Sequence, residues 1–174
     1  MNIFKKNLNK EYVFINKFLD DNQVNLILNL LDLSTFEKAK FYNQGRVNKE
    51  LFLNNDLVKN IILNKIQQIN KKYNFSEILI SEPQEFYLYE KGNYILPHKD
   101  SSEELEKNIF SNYTAIIYLN DNFIGGNTIF NNTKLTIKPI KGGLLLFKHT
   151  LMHEAEEIKE GYKIIYRANW YIKN

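Results

Sequence analysis

The chain has 174 residues, 44% hydrophobic and 25% charged, which suits one globular domain able to bury a core. Its 23 Lys and Arg against 20 Asp and Glu leave a net charge of +3. The lysines are scattered among acids, unlike the basic stripe of a nucleic-acid binder, so no nucleic-acid partner is expected. Cysteine is absent, which excludes disulfides, thiolate metal sites and a cysteine nucleophile.

Met1 to Lys6 lacks the apolar core of a signal peptide. Apolar runs such as Leu144 to Phe147 fall far short of the roughly 20 residues that a membrane span needs. A soluble cytoplasmic protein with no membrane partner is the expectation. Asparagine is abundant, 25 of 174, but is interspersed with regularly spaced apolar residues, and it reads as genomic bias rather than low complexity. Nothing in the sequence sets an oligomeric state.

In chain order, Glu11 to Leu19 reads as a strand on Tyr12, Val13, Phe14, Ile15 and Phe18. Asp20 or Asp21 then caps a helix with Val24, Ile27, Leu28, Leu30 and Leu31 at helical spacing. Residues 34–46 are irregular. A second helix is expected from about Asp56 to Lys72, with Leu57, Ile61, Ile62, Ile66 and Ile69 on one face. Beyond Tyr73 short β-rich runs alternate with turn residues: Glu85–Tyr89, Tyr113–Asn120, Thr128–Phe130, Leu135–Ile137, Gly143–Phe147 and Tyr162–Ile172. Short strands in succession predict an antiparallel sandwich or barrel supported by two helices. Gly125-Gly126 and Gly142-Gly143 read as tight turns where φ is positive.

Only three histidines occur, His98, His149 and His153. In an extended segment, His98 and Asp100 share one face. With a third ligand from elsewhere they make a 2-His-1-carboxylate triad, which holds Fe(II) and leaves positions open. Either His149 or His153 can supply that ligand. An isolated His-x-Asp triplet equally reads as an exposed loop pair.

The surroundings are more specific. Tyr89-Glu90-Lys91-Gly92 precedes His98-Lys99-Asp100. Thr114 to Asn120, Gly125-Gly126-Asn127-Thr128-Ile129-Phe130, Pro139 to Phe147, and His153 followed ten residues later by Lys163 come after. This order and spacing resembles the 2-oxoglutarate- and Fe(II)-dependent oxygenases, in their prolyl 4-hydroxylase-like branch. The resemblance covers the C-terminal half well and the N-terminal half only as a strand plus supporting helices. It implies an α+β, mainly β fold, a double-stranded β-helix (jelly roll). A single domain is expected, in which residues 1–75 supply a strand and supporting helices and residues 76–174 form the catalytic core.

The resemblance further implies that His98, Asp100 and His153 ligate the iron, His153 being preferred because Lys163 stands at the family's spacing from it. His149 then becomes a polar turn residue. Lys163 would anchor the far carboxylate of 2-oxoglutarate, since a lysine inside an apolar strand calls for an anion; the alternative is an edge strand with Lys163 in solvent. Alternation puts Lys163, Ile165, Arg167 and Asn169 on one face and Ile164, Tyr166, Ala168 and Trp170 on the other. Tyr89 and Tyr118 fall at the family's co-substrate tyrosines, or serve as core aromatics, and Thr128 is a weaker pocket residue. Arg167 either meets an acidic group of the substrate or pairs structurally. The polar stretch from Lys99 to Asn112 is either a lid or a solvated loop or short helix.

The implied activity is hydroxylation of an unactivated C–H, coupled to conversion of 2-oxoglutarate and O2 into succinate and CO2, with ascorbate as a stimulant. A prolyl residue in a peptide or protein is the expected substrate. Two departures from prolyl hydroxylases leave a free amino acid or other small molecule open: Tyr94 lies two residues after Gly92, and Asn169 stands where tryptophan is expected, with Trp170 one further. A non-catalytic jelly-roll binding domain and a nucleic-acid demethylase are the rivals. The intact triad opposes the first, and the missing inward arginine pair opposes the second.

Overall fold

The computed structural model describes residues 11–73 and 78–172. Strand β1 (Tyr12–Ile15) is followed by helix α1 (Asp21–Leu28), a 3-10 turn (Leu33–Thr35) and strands β2 (Glu37–Lys38), β3 (Arg46–Val47) and β4 (Lys49–Leu53). Helix α2 (Asp56–Tyr73) leads to β5 (Ile78–Ile80), β6 (Gln84–Tyr89) and β7 (Tyr94–His98). A hairpin of β8 (Glu104–Glu106) and β9 (Ile109–Phe110) precedes β10 (Tyr113–Tyr118), β11 (Ile124–Gly125), β12 (Thr128–Phe130) and β13 (Leu135–Ile137). The chain ends with β14 (Leu144–Lys148), β15 (His153–Ala155), β16 (Ile158–Glu160) and β17 (Lys163–Ile172).

Two antiparallel sheets form the body, the larger in the order β1-β14-β10-β17-β6-β4-β2 with β5 beside β17, the smaller in the order β13-β12-β15-β7-β3. This is the expected mainly β, jelly-roll architecture. The period-2 alternation of the central strands sorts their side chains into two cores. Ile164, Tyr166, Ala168 and Trp170 of β17 join Ala115 and Ile117 of β10 and Leu144 and Leu146 of β14 on the helix side. Ile165, Ile116, Tyr118, Leu145 and Phe147 face the smaller sheet, where they meet Phe130 and Ile137. The second core surrounds the cavity between the sheets.

The helices cover the outer face of the large sheet. Asp20 caps α1: its side chain accepts the Gln23 N–H while the Gln23 side chain accepts the Asp20 N–H. On α2 the buried stripe is Val58, Ile61, Ile62 and Ile66. Leu57, expected on this face, is 46% exposed, because one residue before Val58 means a turn of about 100° away from the stripe. Leu30, expected inside, is 39% exposed and lies past the end of α1.

β1 is shorter than expected. Lys17 takes a left-handed φ of +56° and breaks the extended run, and Phe18 enters the core from the following turn. Residues 99–112, read as a lid, a solvated loop or a short helix, form no helix and contain the β8–β9 hairpin. Its base is closed by Glu103 N–H donating to Ser111 Oγ and Ser111 N–H donating to Glu103 O, both at 2.8 Å. Met1 to Lys6 and the 75/76 division lie outside the described residues.

Candidate metal centre

His98 ends β7 and His153 begins β15, and the antiparallel register sets the two directly opposite each other. Their rings lie 4.3 Å apart between centroids. Asp100, two residues beyond His98, reaches the same point: its Oδ1 is 3.6 Å from His98 Nε2 and its Oδ2 is 3.8 Å from His153 Nε2. One ligand atom from each of the three lies within 4.8 Å of the others, a cluster able to hold a metal ion.

The hydrogen bonds behind these ligands prepare them. Nδ1 of His98 faces Leu96 O at 2.9 Å, and Nδ1 of His153 faces Leu151 O at 3.0 Å. A carbonyl only accepts, so each Nδ1 carries the proton and each Nε2 keeps its lone pair for a metal. Burial lowers the pKa of His153 against the opposing pull of Asp100, which favours the neutral imidazole. Burial alone would raise Asp100, but His98, Arg167, His153 and the Thr114 hydroxyl together hold it well below the usual carboxylate range. These shifts favour the carboxylate form of Asp100 and the neutral imidazole of His153, the forms that metal binding requires. His149 sits in the turn after β14 and is buried, not solvated; both ring nitrogens lack a hydrogen-bond partner among the described residues.

Further along the cavity, Lys163 is 1% exposed on β17, which runs between β10 and β6 and is not an edge. Its ammonium donates to Gly126 O at 2.8 Å and stands 4.2 Å from the centre of the Tyr89 ring. Gly126 suits this post because φ is +67° and a Cβ would come within 2.4 Å of Ile158 Cδ1. Burial pushes Lys163 down to about 7, with Glu156 opposing the shift. Tyr118, also buried, shares a 2.8 Å hydrogen bond with Thr128 Oγ1. An ammonium with three donors and, among the described residues, one oxygen partner, set over the Tyr89 ring in a cavity that Tyr118 also lines, is chemically prepared for a carboxylate. These side chains line one cavity of about 630 Å³ with the triad, roomy enough for a small ligand and part of a second.

Residues 85–171 match the family described as the 2OG-Fe(II) oxygenase superfamily. The chain belongs to that superfamily. The family's description names 2OG and Fe(II), and the cluster of His98, Asp100 and His153 fits such a metal ion. An uncharacterized protein of fowlpox virus is 28% identical over 119 residues, covering 65% of this chain and 26% of that protein, so the chain spans about a quarter of its curated relative. The fold is similar to that of the viral collagen prolyl hydroxylase of Paramecium bursaria Chlorella virus 1 in its 2OG complex (TM-score 0.73, 21% identity, 94% of this chain and 97% of that one). It is also similar to a Trichoplax adhaerens prolyl hydroxylase in complex with a hypoxia inducible factor peptide fragment (TM-score 0.72, 21% identity, 96% and 86% covered).

Several polar residues of this oxygenase's cavity are not apparent in its sequence. Glu85 pairs with Arg167, Nη1 to Oε2 at 3.3 Å, so of the two readings of Arg167 the ion pair is present. Arg46 pairs with Glu50 at 2.5 Å and lies over the Tyr87 ring. Thr114 donates its hydroxyl to Asp100 Oδ2. Only the inward parity of β3, β4, β6, β10 and β17 could have pointed to them. Phe41, Phe52 and Leu96, each more than half exposed, line the rim.

Proposed function

We propose that this chain is a 2-oxoglutarate-dependent dioxygenase, with Fe(II) as cofactor, that hydroxylates an unactivated C–H of a prolyl residue in a peptide or protein. In this reading His98, Asp100 and His153 hold Fe(II), and Lys163, Tyr118 and Tyr89 receive 2-oxoglutarate. When bound, the metal and co-substrate supply the oxidation that releases succinate and CO2. The chain's role is to orient and to exclude. The Nε2 atoms and the ionised Asp100 offer three ligands on one side, leaving the other side for co-substrate and oxygen. Lys163 and the Tyr118 hydroxyl fix the distal carboxylate, and the apolar walls of Ile116 and Ile165 keep water from the reacting carbon.

The observation that carries the prolyl reading is charge balance. Among the described residues the cavity is lined by five carboxylates and five lysines and arginines, beside the two histidines of the triad. A divalent metal and a dianionic co-substrate cancel as well, so the complex offers no net charge to the substrate. A neutral ring within a peptide, resting against an apolar rim of Phe41, Phe52, Leu96 and Pro97, suits such a site. The prolyl hydroxylases among its structural neighbours, one of them holding a peptide fragment, support the same choice.

The test is mass spectrometry for a +16 Da product across proline-containing peptides, free amino acids and small metabolites, with succinate measured in parallel. A peptide product carrying the oxygen on proline, lost in His98→Ala and Asp100→Ala, is expected. Stoichiometric oxidation of free metabolites alone would replace the peptide reading with the small-molecule one. Metal- and 2-oxoglutarate-independent behaviour throughout would leave only a binding domain.

A further inference from the structure

The three ligands are not held equally well. His98 and His153 stand opposite each other in a paired ladder, which fixes both backbones. Asp100 lies past the end of β7 in a stretch without strand pairing, ahead of the β8–β9 hairpin. No ladder fixes its backbone, so the orientation of its carboxylate falls to its side-chain partners. Those partners come from the two central strands of the large sheet. Thr114 of β10 donates to Oδ2, and Nη2 of Arg167 on β17 faces Oδ1 at 3.8 Å.

Arg167 is itself braced. The β17–β6 register places it opposite Glu85, which takes Nη1 at 3.3 Å, and the Tyr87 hydroxyl donates to the same Glu85 oxygen. The side chains of Arg167, Asp100 and Glu85 are 12%, 12% and 15% exposed, so solvent screens them little. A planar guanidinium held on one nitrogen by Glu85 presents its other nitrogen in a fixed direction. Arg167 also stands four residues from Lys163, about 13 Å along the strand, well beyond the distal carboxylate that Lys163 serves.

We propose that Arg167, braced by Glu85, is a positioning residue that acts with Thr114 to orient the otherwise unsupported ligand Asp100 toward the metal. The inference rests on the metal-site reading above. It makes Arg167 a component of the metal centre and not a reader of substrate charge. Because its own cationic charge opposes a nearby metal ion, its benefit must come from geometry.

That opposition makes the idea testable by anaerobic Co(II) titration, reading affinity and the ligand-field absorption band, without turnover. Arg167→Gln and Arg167→Lys are each expected to weaken Co(II) binding by about tenfold or more and to shift the band. Thr114→Val, nearly isosteric, should act in the same direction and provides a second route should an arginine variant fold poorly. Glu85→Gln should weaken binding in the wild-type background but add nothing to Arg167→Gln, since it acts through the arginine. Unchanged or tighter binding in Arg167→Gln overturns the proposal, as does full rescue by Arg167→Lys, which would show that charge alone matters. Failure of the wild-type chain to bind Co(II) would sink the metal site itself, a distinguishable result.

Discussion

Lys163 provides the sharpest quantitative expectation. Burial brings its pKa down to about 7, against opposition from Glu156, so near neutrality the ammonium is already losing its proton. A carboxylate needs the charged form. Binding of 2-oxoglutarate must therefore recruit a proton above pH 7, and its apparent Kd should rise about tenfold per pH unit there. Below pH 7 the Kd should be flat, giving a loss of about a hundredfold between pH 6 and pH 9.

Isothermal titration with the metal-loaded protein under argon, in buffers of differing ionisation enthalpy, measures both the Kd and the uptake of one proton. Lys163→Arg, if it binds at all, should lose the pH dependence, since arginine stays charged. Stability should show the same group with the opposite consequence. The folded pKa is depressed below the ordinary 10.5, so the unfolded chain binds more protons between pH 7 and 10.5 and the contribution to stability rises with pH across that window. The penalty, present in full below pH 7, is on the order of 5 kcal/mol. Lys163→Met should accordingly stabilise the fold at neutral pH while abolishing co-substrate binding. A wild-type Kd constant from pH 6 to 9 would refute the reasoning.

Tyr118→Phe removes the hydroxyl that bonds Thr128 and that, in the proposed function, faces the same anion. A hydrogen bond to a charged group is worth about 1.5 kcal/mol or more, so the Kd for 2-oxoglutarate should rise about tenfold, with the melting temperature little changed. An unaltered Kd would remove Tyr118 from the co-substrate site. Trp170→Ala empties the centre of the helix-side core, where the indole is fully buried. Urea unfolding should show a loss of about 3–5 kcal/mol, and a loss below 1 kcal/mol would contradict the packing described.

The alternation in Lys163 to Trp170 was enough to separate pocket-facing from core-facing side chains, because a strand has only two faces. His98-Lys99-Asp100 and the ten-residue step from His153 to Lys163 pointed to side chains that the structure gathers in one cavity, since chemistry at one point demands particular residue types at a particular spacing. The 3.6-residue period likewise located both helices, although Leu57 shows that periodicity leaves the rotation of a helix uncertain by one residue.

Of the short strands, Thr128–Phe130 and Leu135–Ile137 were legible between turn residues, but two-residue strands escaped notice because they carry too little pattern to stand out. Arg46–Val47 and Glu37–Lys38 are strands only because neighbours supply the ladder. The support for Asp100 was hidden more deeply. Thr114 and Arg167 are 53 residues apart in the chain and Glu85 is 29 from Thr114. What unites them is the register of β6, β17 and β10, which turns distant positions into neighbours across a sheet. Local sequence determined which atoms were available for chemistry, since residue type and parity are local properties. Only strand pairing decided which charges would meet, because that depends on hydrogen-bond registers between segments far apart along the chain.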